Sequence, residues 1–214
     1  ARLLKRRLPG LPLYVLGLSM GGAVAMTALA DHPDLAAGAV LVAPAVRGRG
    51  AIPRWQLWAL DAAVATIPWY PATGQGLQIQ PTDNIDVLIR MSLDPNVIKE
   101  TRLDAIYGLV DLMTTAAASA PRQRTPLLFL YGLKDDLVPM APTVAALDAL
   151  PPPAPGRPPP RVAVYPEGRH MLLRDLEGDR AIADILAWIT DPAAPLPSGA
   201  DRGARARLEA AAAR

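Results

Sequence analysis

The sequence predicts an α/β fold, in which a mostly parallel sheet is flanked by helices and a helical cap is inserted between its strands. Four short runs have the length and composition of strands, and they are almost entirely apolar instead of alternating with polar residues. Strands of that kind are buried on both faces, as in parallel sheets covered by helices. Segments with helical spacing follow these runs, which indicates strand–helix repeats.

The first repeats lie near the amino terminus. The segment Arg2–Arg7 has the composition of a basic helix and ends before a Pro-Gly pair. An apolar strand is predicted over Leu13–Leu16 and a helix over Met20–Ala30. That helix stops near Pro33, because the residue before a proline disfavours helical backbone angles. A second buried strand follows at Gly38–Ala43.

A tryptophan-rich stretch punctuated by prolines then interrupts the repeats. It contains three of the 4 tryptophans, namely Trp55, Trp58 and Trp69. Helices are predicted within it over residues 55–65 and 103–118. The stretch is therefore interpreted as a helical cap that is inserted between two parts of the sheet.

The strand–helix pattern resumes after the cap. Strands are predicted over residues 126–131 and 161–165, and helices over 143–150 and 179–189. The proline-rich residues 151–160 predict an extended spacer loop. The division of the chain that follows is a core of residues 1–46 and 121–190, a cap of residues 47–120 and a mobile tail of residues 191–214.

The composition excludes several classes of function. The 22 basic and 20 acidic residues give a net charge of only +2, and no basic stripe interleaves with aromatic residues, so nucleic acid is not an expected partner. The absence of cysteine excludes disulfides, thiolate nucleophiles and cysteine-based metal sites. No apolar run reaches the roughly 20 residues that span a bilayer. No cluster with metal-ligand spacing occurs either, and we expect no metal and no other cofactor.

The most informative motif is Gly17-Leu18-Ser19-Met20-Gly21, which stands between an apolar strand and a helix. Gly-x-Ser-x-Gly in that context indicates a nucleophile elbow, a turn so sharp that its serine takes a strained, left-handed conformation. Gly17 and Gly21 are expected to lack side chains because strand and helix nearly touch there. Ser19 Oγ would then stand above the carboxyl end of the sheet, and the Met20 N–H would point at a developing oxyanion.

The alternative is a glycine-rich turn with an incidental serine. Phosphate-binding turns also connect a strand to a helix, so the context alone does not exclude it. The sequence contains neither Gly-x-Gly-x-x-Gly nor Gly-Lys followed by Ser or Thr, which disfavours the nucleotide-binding forms of such a turn.

A serine nucleophile needs a base, which is almost always histidine, and the chain has 2 histidines. His32 follows the helix after the elbow and is expected at the amino end of the sheet, as a polar residue at a helix end. His170 lies in the loop after the strand 161–165, where the active sites of α/β proteins assemble. His170 is therefore the candidate base.

The base in turn needs a carboxylate that fixes its tautomer and stabilises the imidazolium. Asp135 and Asp136 both lie in the loop after the strand 126–131. We favour Asp135, with the apolar pair Leu137-Val138 anchoring the loop, and expect Asp136 to face solvent or to cap the next helix. The order Ser19, Asp135, His170 is the chain order of α/β-hydrolases.

Three stretches together resemble the monoacylglycerol lipase/lysophospholipase branch of the α/β-hydrolases, which is of the serine aminopeptidase S33 type. They are Gly-Leu-Ser-Met-Gly-Gly, Gly-Leu-Lys-Asp-Asp-Leu-Val-Pro and Glu-Gly-Arg-His-Met-Leu-Leu. The cap stretches that begin at Pro81 and Asp94 also look like those of bacterial members. The resemblance covers about residues 10–190. It implies a partial α/β-hydrolase fold with Ser19 as nucleophile, Asp135 as acid and His170 as base.

The resemblance also implies that elements found before the elbow in that family are absent from this sequence. In that family the first strands and a His-Gly loop, which supplies the second oxyanion N–H, precede the nucleophile. Here the elbow already begins at Gly17. We therefore expect the chain to correspond to the carboxyl-terminal part of a hydrolase, with an apolar strand exposed at the sheet edge.

The function predicted is hydrolysis of a small-molecule ester or lipid of the monoacylglycerol or lysophospholipid type, through an acyl-enzyme. Ile52, Trp55, Ala59 and Ala62 have helical spacing and would either roof a hydrophobic groove or pack the cap on the core. One alternative is a truncated, weak or inactive remnant that binds a lipid or a partner. Another is the same triad used for transacylation, because one fold and site serve many reactions.

Overall fold

The computed structural model describes residues 1–73, 79–154 and 159–213. The strands, in chain order, are Tyr14–Leu18 (β1), Gly38–Val42 (β2), Pro71–Thr73 (β3), Glu100–Arg102 (β4), Leu127–Gly132 (β5) and Arg161–Tyr165 (β6). The helices are Arg2–Arg7 (α1), Met20–Asp31 (α2), Arg54–Thr66 (α3), Ile85–Leu93 (α4), Leu103–Ser119 (α5), Met140–Asp148 (α6), Gly178–Thr190 (α7) and Ala204–Ala212 (α8).

One parallel sheet with the strand order β1-β2-β5-β6 forms the centre of the fold. Its two inner strands, β2 and β5, are buried along their whole length, which explains why their sequences are apolar without alternation. A separate antiparallel pair, β3 and β4, lies in the region interpreted as the cap. The predicted α/β class with a mostly parallel sheet is confirmed.

Helices cover both faces of the sheet. Successive side chains of a strand point to opposite faces, and the core accordingly consists of two apolar clusters. Phe129 of β5 packs in the cluster that includes Met26 of α2 and Ala116 of α5. Its neighbour Leu130 packs in the other cluster, with Trp188 of α7.

The predicted boundaries of helices and strands differ from the observed ones by no more than three residues. The largest difference is at α6, which begins at Met140 instead of residue 143. The reason is that Pro142 lies in the first turn of the helix, where a proline is tolerated because its missing N–H has no partner there. Residues 155–158 of the predicted spacer loop lie outside the described residues.

The proposed cap of residues 47–120 contains helices of two kinds. None of the described residues of α3 is buried. In contrast, α5 buries Val110 and Ala116, and Ala116 belongs to the apolar cluster that also contains residues of α2. The carboxyl-terminal half of α5 therefore packs on the core, and the exposed part of this region is built from α3, α4 and the β3–β4 pair.

The carboxyl-terminal residues, which the sequence analysis treats as a mobile tail, pack against the edge of β6 in the structure. Val164 N donates to the Ala200 carbonyl at 3.0 Å, and Arg161 Nη1 lies 3.0 Å from Asp201 Oδ2. The burial follows a spacing of four residues that the Pro-, Ala- and Arg-rich composition obscures. The buried residues are Leu196, Ala200, Ala204 and Leu208.

Glycines allow β1 and α2 to cross with their backbones in contact. A Cβ on Gly17 would lie 2.4 Å from the Gly21 carbonyl oxygen, and one on Gly22 would lie 2.7 Å from Pro44 Cβ. The expectation for Gly17 is thus met. The expectation for Gly21 is wrong, because a Cβ there would have nothing within 4 Å. The Gly21 main chain faces the strand while its Cβ direction points outward, so Gly22 is the second position that excludes a side chain.

We predict that Gly22→Ala destabilises the protein and Gly21→Ala does not. The new methyl group at residue 22 overlaps the Pro44 ring, and overpacking of this kind costs about 1–3 kcal/mol. Alanine at residue 21 meets open space in a helical position, where it is intrinsically favoured over glycine. Urea unfolding of the two variants measures the difference. Equal free energies of unfolding would contradict the assignment.

A second prediction tests the packing of the carboxyl-terminal segment. Leu208 is fully buried, so Leu208→Ala is expected to lower the free energy of unfolding by about 2–5 kcal/mol. The control is Leu186→Ala, because Leu186 is 60% exposed in α7 and its truncation is expected to change stability by no more than about 0.5 kcal/mol. A Leu208 variant as stable as the control would show that α8 is not docked.

Candidate active site

Ser19 occupies the turn between β1 and α2 with φ 53° and ψ −117°, the strained conformation expected of a nucleophile elbow. Three backbone hydrogen bonds hold it there. Ser19 N donates to the Val42 carbonyl at 2.9 Å, and the Ser19 carbonyl accepts from Ala23 N at 3.1 Å and Ala45 N at 3.0 Å. The strain is thus maintained by the adjoining strand β2 and by the first turn of α2.

The amino terminus of α2 supplies the candidate oxyanion site. The first N–H groups of a helix have no partner within it, and no side chain caps α2 at this end. Met20 is the first residue of α2, and its backbone N–H directly follows Ser19. An oxyanion that forms on an acyl group at Ser19 would meet this N–H and the positive end of the helix dipole.

Asp135 and His170 form a buried pair. His170 Nδ1 lies 2.9 Å from Asp135 Oδ2, and both side chains are almost fully shielded from solvent. The other carboxylate oxygen, Oδ1, accepts from Leu137 N at 2.8 Å and from Val138 N at 2.9 Å. The Leu137-Val138 pair thus anchors the loop through backbone N–H groups, and it is Val138 whose side chain is buried while Leu137 is exposed.

The hydrogen bond to Asp135 also determines which nitrogen of His170 can act as a base. A carboxylate only accepts, so Nδ1 carries the proton and Nε2 retains the lone pair. In the described parts of the chain, no hydrogen bond joins Ser19 Oγ to this ring. Such catalytic hydrogen bonds are often long in the absence of substrate and tighten in the complex.

Glycines also bring the loop that carries His170 back over the sheet. A Cβ on Gly132 would lie 2.3 Å from the backbone of Gly168, so the loops after β5 and β6 touch with bare main chain. Lys134 N donates to the Gly168 carbonyl at 2.9 Å, and Leu133 N donates to that of Tyr165 at 3.0 Å. The loop is thereby directed from β6 toward the β1 side.

The parallel strands place the three candidate residues on one rim of the sheet. β1 and β6 are at opposite ends of the strand order, and three strand spacings amount to roughly 14 Å. Because the strands are parallel, their carboxyl ends lie on one rim, which carries Ser19, Asp135 and His170 in its loops.

The remaining candidates fall where the sequence analysis puts them. His32 is exposed at the carboxyl end of α2, about 18 Å along the helix axis from Ser19. Asp136 is exposed and lies 3.6 Å from Arg169 Nη1, while α6 begins after Pro139. Asp136 therefore faces solvent and does not cap the next helix.

Tyr131 is a supporting residue that the sequence analysis did not single out. It is fully buried at the end of β5, and its hydroxyl donates to the Val138 carbonyl. Burial raises the pKa of this hydroxyl well above its usual value, and the nearby Asp135 charge raises it further. The hydroxyl thus remains a hydrogen-bond donor and holds the Asp135 loop from inside. The one indication of this role in the sequence is that Tyr131 stands directly before the loop of Asp135.

The helix α3 presents its apolar side chains to the outside. Trp55, Ala59 and Ala62 are exposed, and Ile52 before the helix is half-buried. The exposure argues against the interpretation that these residues pack the cap on the core. Trp58 is also largely exposed, with the Arg54 guanidinium 5.6 Å above its ring.

Two searches of the described residues bear on ligands. They contain no group of three or more histidine and acidic residues that could hold a metal ion. Among the helices of these residues, none combines the length and the hydropathy needed to cross a bilayer.

Comparison with known proteins yields one family match and several relatives. The matching family is described as serine aminopeptidase, S33, and the match covers residues 1–177. The monoacylglycerol lipase of Mycolicibacterium smegmatis is 28% identical over 195 residues, which are 85% of this chain and 63% of the relative. Human monoglyceride lipase is 28% identical over 138 residues, which are 60% of this chain and 43% of the relative. The chain spans about half the length of the curated relatives it matches.

Solved structures agree with the fold. The Paleococcus ferrophilus monoacylglycerol lipase superimposes with a TM-score of 0.70 at 20% identity, over 88% of this chain and 71% of that one. A soluble variant of the Saccharomyces cerevisiae monoglyceride lipase has a TM-score of 0.67 at 16% identity, over 88% of this chain and 65% of that one. Since the family match covers most of the sequence and the architecture agrees, the chain belongs to the serine aminopeptidase S33 family and has an α/β-hydrolase fold.

Proposed function

We propose that the protein is a serine hydrolase that cleaves carboxylic esters of lipid-like substrates of the monoacylglycerol or lysophospholipid type. The observation that carries the proposal is the buried Asp135–His170 hydrogen bond on the same rim of the sheet as the strained Ser19 turn. Of the chemistries that this arrangement supports, acyl transfer through a serine ester uses all three residues.

The proposed reaction has two halves. Ser19 Oγ attacks the ester carbonyl carbon, and His170 Nε2 takes the hydroxyl proton while Asp135 keeps the imidazolium in place. The Met20 N–H donates to the oxyanion, and His170 then returns the proton to the departing alcohol. Water attacks the acyl-enzyme in the second half: His170 accepts one water proton and passes it to Ser19 as the carboxylic acid leaves.

Two observations support a substrate with an apolar acyl group. The exposed face of α3 carries the large apolar side chains of Trp55 and Trp58. Exposed apolar surface of this kind is typical of sites that bind apolar ligands. The relatives from Mycolicibacterium smegmatis and human carry the names monoacylglycerol lipase and monoglyceride lipase. A long acyl chain is the ligand chemistry that fits both observations.

The nucleophile is tested by Ser19→Ala in the protein expressed from its natural gene. Hydrolysis of a long-chain monoacylglycerol is expected to fall at least about 10³-fold, because the remaining groups cannot form an acyl-enzyme. The Ser19→Ala variant should also no longer be labelled by a fluorophosphonate probe. Ser92→Ala is the matched control, since Ser92 is exposed and its hydroxyl only donates to the Ile89 carbonyl within α4.

The outcomes of that experiment separate the alternatives. Unchanged hydrolysis in the Ser19 variant would reject the nucleophile. A folded wild-type protein that neither turns over esters nor reacts with the probe would indicate an inactive lipid- or partner-binding protein. Transfer of the acyl group to an added alcohol, in place of release as free acid, would indicate a transacylase.

The acid is tested by comparing Asp135→Asn with Asp136→Asn. The first change places an amide against His170 and favours the wrong tautomer, so kcat is expected to fall by up to about 10⁴-fold. The second affects an exposed carboxylate, and its kcat is expected to stay within about tenfold of the wild type. Initial rates with a chromogenic butyrate ester suffice, and the reverse ranking would overturn the choice of Asp135.

A further inference from the structure

A short segment of the cap region lies along the loop that carries His170. We call residues 80–83, Gln80-Pro81-Thr82-Asp83, the strap. The Pro81 carbonyl accepts from Met171 N at 2.7 Å, and the Gln80 carbonyl accepts from Arg169 Nη1 at 3.3 Å. These two bonds engage the residues immediately before and after His170, so the strap holds the candidate base from both sides.

The second half of the strap continues along the same loop. Thr82 Oγ1 donates to the Arg174 carbonyl at 3.3 Å, and Asp83 Oδ1 accepts from Leu176 N at 2.8 Å. Thr82 is fully buried, although it belongs to a region with few buried residues. The strap is therefore fixed to the loop on both sides of His170. These hydrogen bonds oppose any displacement of the strap relative to the loop.

Arg169 connects the strap to the loop of the candidate acid as well. Its side chain is 19% exposed, and its Nη1 lies 3.6 Å from Asp136 Oδ2 in addition to the bond with Gln80. The Arg169 backbone N donates separately to Asp175 Oδ2 at 2.7 Å. A change of the side chain alone therefore breaks the contacts to the strap and to Asp136 while the turn around Asp175 keeps its own bond.

The strap leads directly into the exposed helix α4. Asn84 Oδ1 caps this helix by accepting from Val87 N at 3.3 Å, and Asn84 N donates to Thr82 Oγ1 at 3.2 Å. The Thr82 hydroxyl thus joins the first turn of α4 to the loop of His170. The outer face of α4 is apolar and exposed, with Ile85 and Ile89 among its residues.

From these contacts we infer that the strap is a positioning element for the reaction and that Arg169 is its principal positioning residue. It holds His170 within reach of Ser19 and couples the position of α4 to the geometry of the base. The inference rests on the proposed function, because positioning matters only if His170 acts on Ser19. It assigns no group that touches substrate.

The kinetic test uses Arg169→Met and Thr82→Val, which keep the length or shape of the side chain and remove its hydrogen bonds. A misplacement of about 1 Å can cost up to about 10²-fold in rate, so kcat is expected to fall ten- to a hundredfold with KM within about twofold. Arg169→Lys should recover part of the loss, because one nitrogen, Nη1, makes both contacts and an ammonium can donate to Asp136 and to the Gln80 carbonyl, although the lysine side chain is shorter. Thr82→Ser retains the hydroxyl and should recover the Thr82 loss.

The matched control is Arg180→Met. Arg180 is an exposed arginine of α7 whose guanidinium pairs with Glu177 at 2.7 Å, and neither residue bonds to the strap. Its kcat is expected to equal that of the wild type. Thermal unfolding of every variant shows whether a loss of rate reflects a loss of fold.

A second readout is independent of catalysis. Hydrogen–deuterium exchange of peptides that contain the Met171 and Leu176 amides should become faster in Arg169→Met and Thr82→Val, while peptides from β2 and β5 stay unchanged. Faster exchange together with reduced kcat supports the inference. Faster exchange with wild-type kcat would overturn it, since the strap would then be structural only, and so would unchanged exchange.

The two readouts also separate this inference from the proposed function. If the wild-type protein has no Ser19-dependent activity, the proposed function fails and positioning for it fails as well. If Ser19→Ala abolishes activity but Arg169→Met and Arg180→Met behave alike, the proposed function stands and the positioning role is rejected.

Discussion

The architecture of the rim depends on contacts between backbones at positions without side chains. Gly17 lies against the main chain of Gly21, and Gly132 against that of Gly168, at distances that a Cβ would not permit. The first contact lies at the sharp turn in which Ser19 has a positive φ of 53°. The second folds the loop after β6 onto the loop after β5. Both loops are thus held by steric fit and backbone hydrogen bonds, which resist small displacements better than long side chains do.

The polar groups of the rim are arranged around that framework. Burial would make an unpaired carboxylate costly, and Asp135 is instead satisfied by two backbone N–H groups and the His170 ring. Tyr131 fixes the same loop from the core side. The candidate base is consequently attached to the sheet through the acid loop and to the cap region through the strap. The position of the His170 imidazole therefore depends on both the core and the cap region.

The sequence allowed the sheet, the elbow and the loops of the rim to be predicted, because each has a local signal: an apolar run, a Gly-x-Ser-x-Gly, or an acid directly after a strand. The stretch that begins at Pro81 stands out in the sequence by its family resemblance, but nothing local indicates that it contacts the loop of His170. Gln80 and Arg169 are 89 positions apart, and their bond exists only once the cap region is folded onto the core. The docking of α8 was not predicted, because the high content of proline, alanine and arginine hides the four-residue spacing of the buried residues between Leu196 and Leu208. Gly21 was misjudged because a motif shows which residues are small and not which way a Cβ points.

The packing of the carboxyl-terminal segment on β6 makes the two edges of the sheet different. Residues around Ala200 contact the hydrogen-bonding edge of β6, whereas β1 pairs with a strand on one side only among the residues that the structure describes. A further strand that joined this sheet would therefore find a free edge next to β1, where Leu16 is half exposed. Such a strand would lie beside the turn that carries Ser19. The environment of the hydroxyl would then depend on that strand as well as on the loops described above.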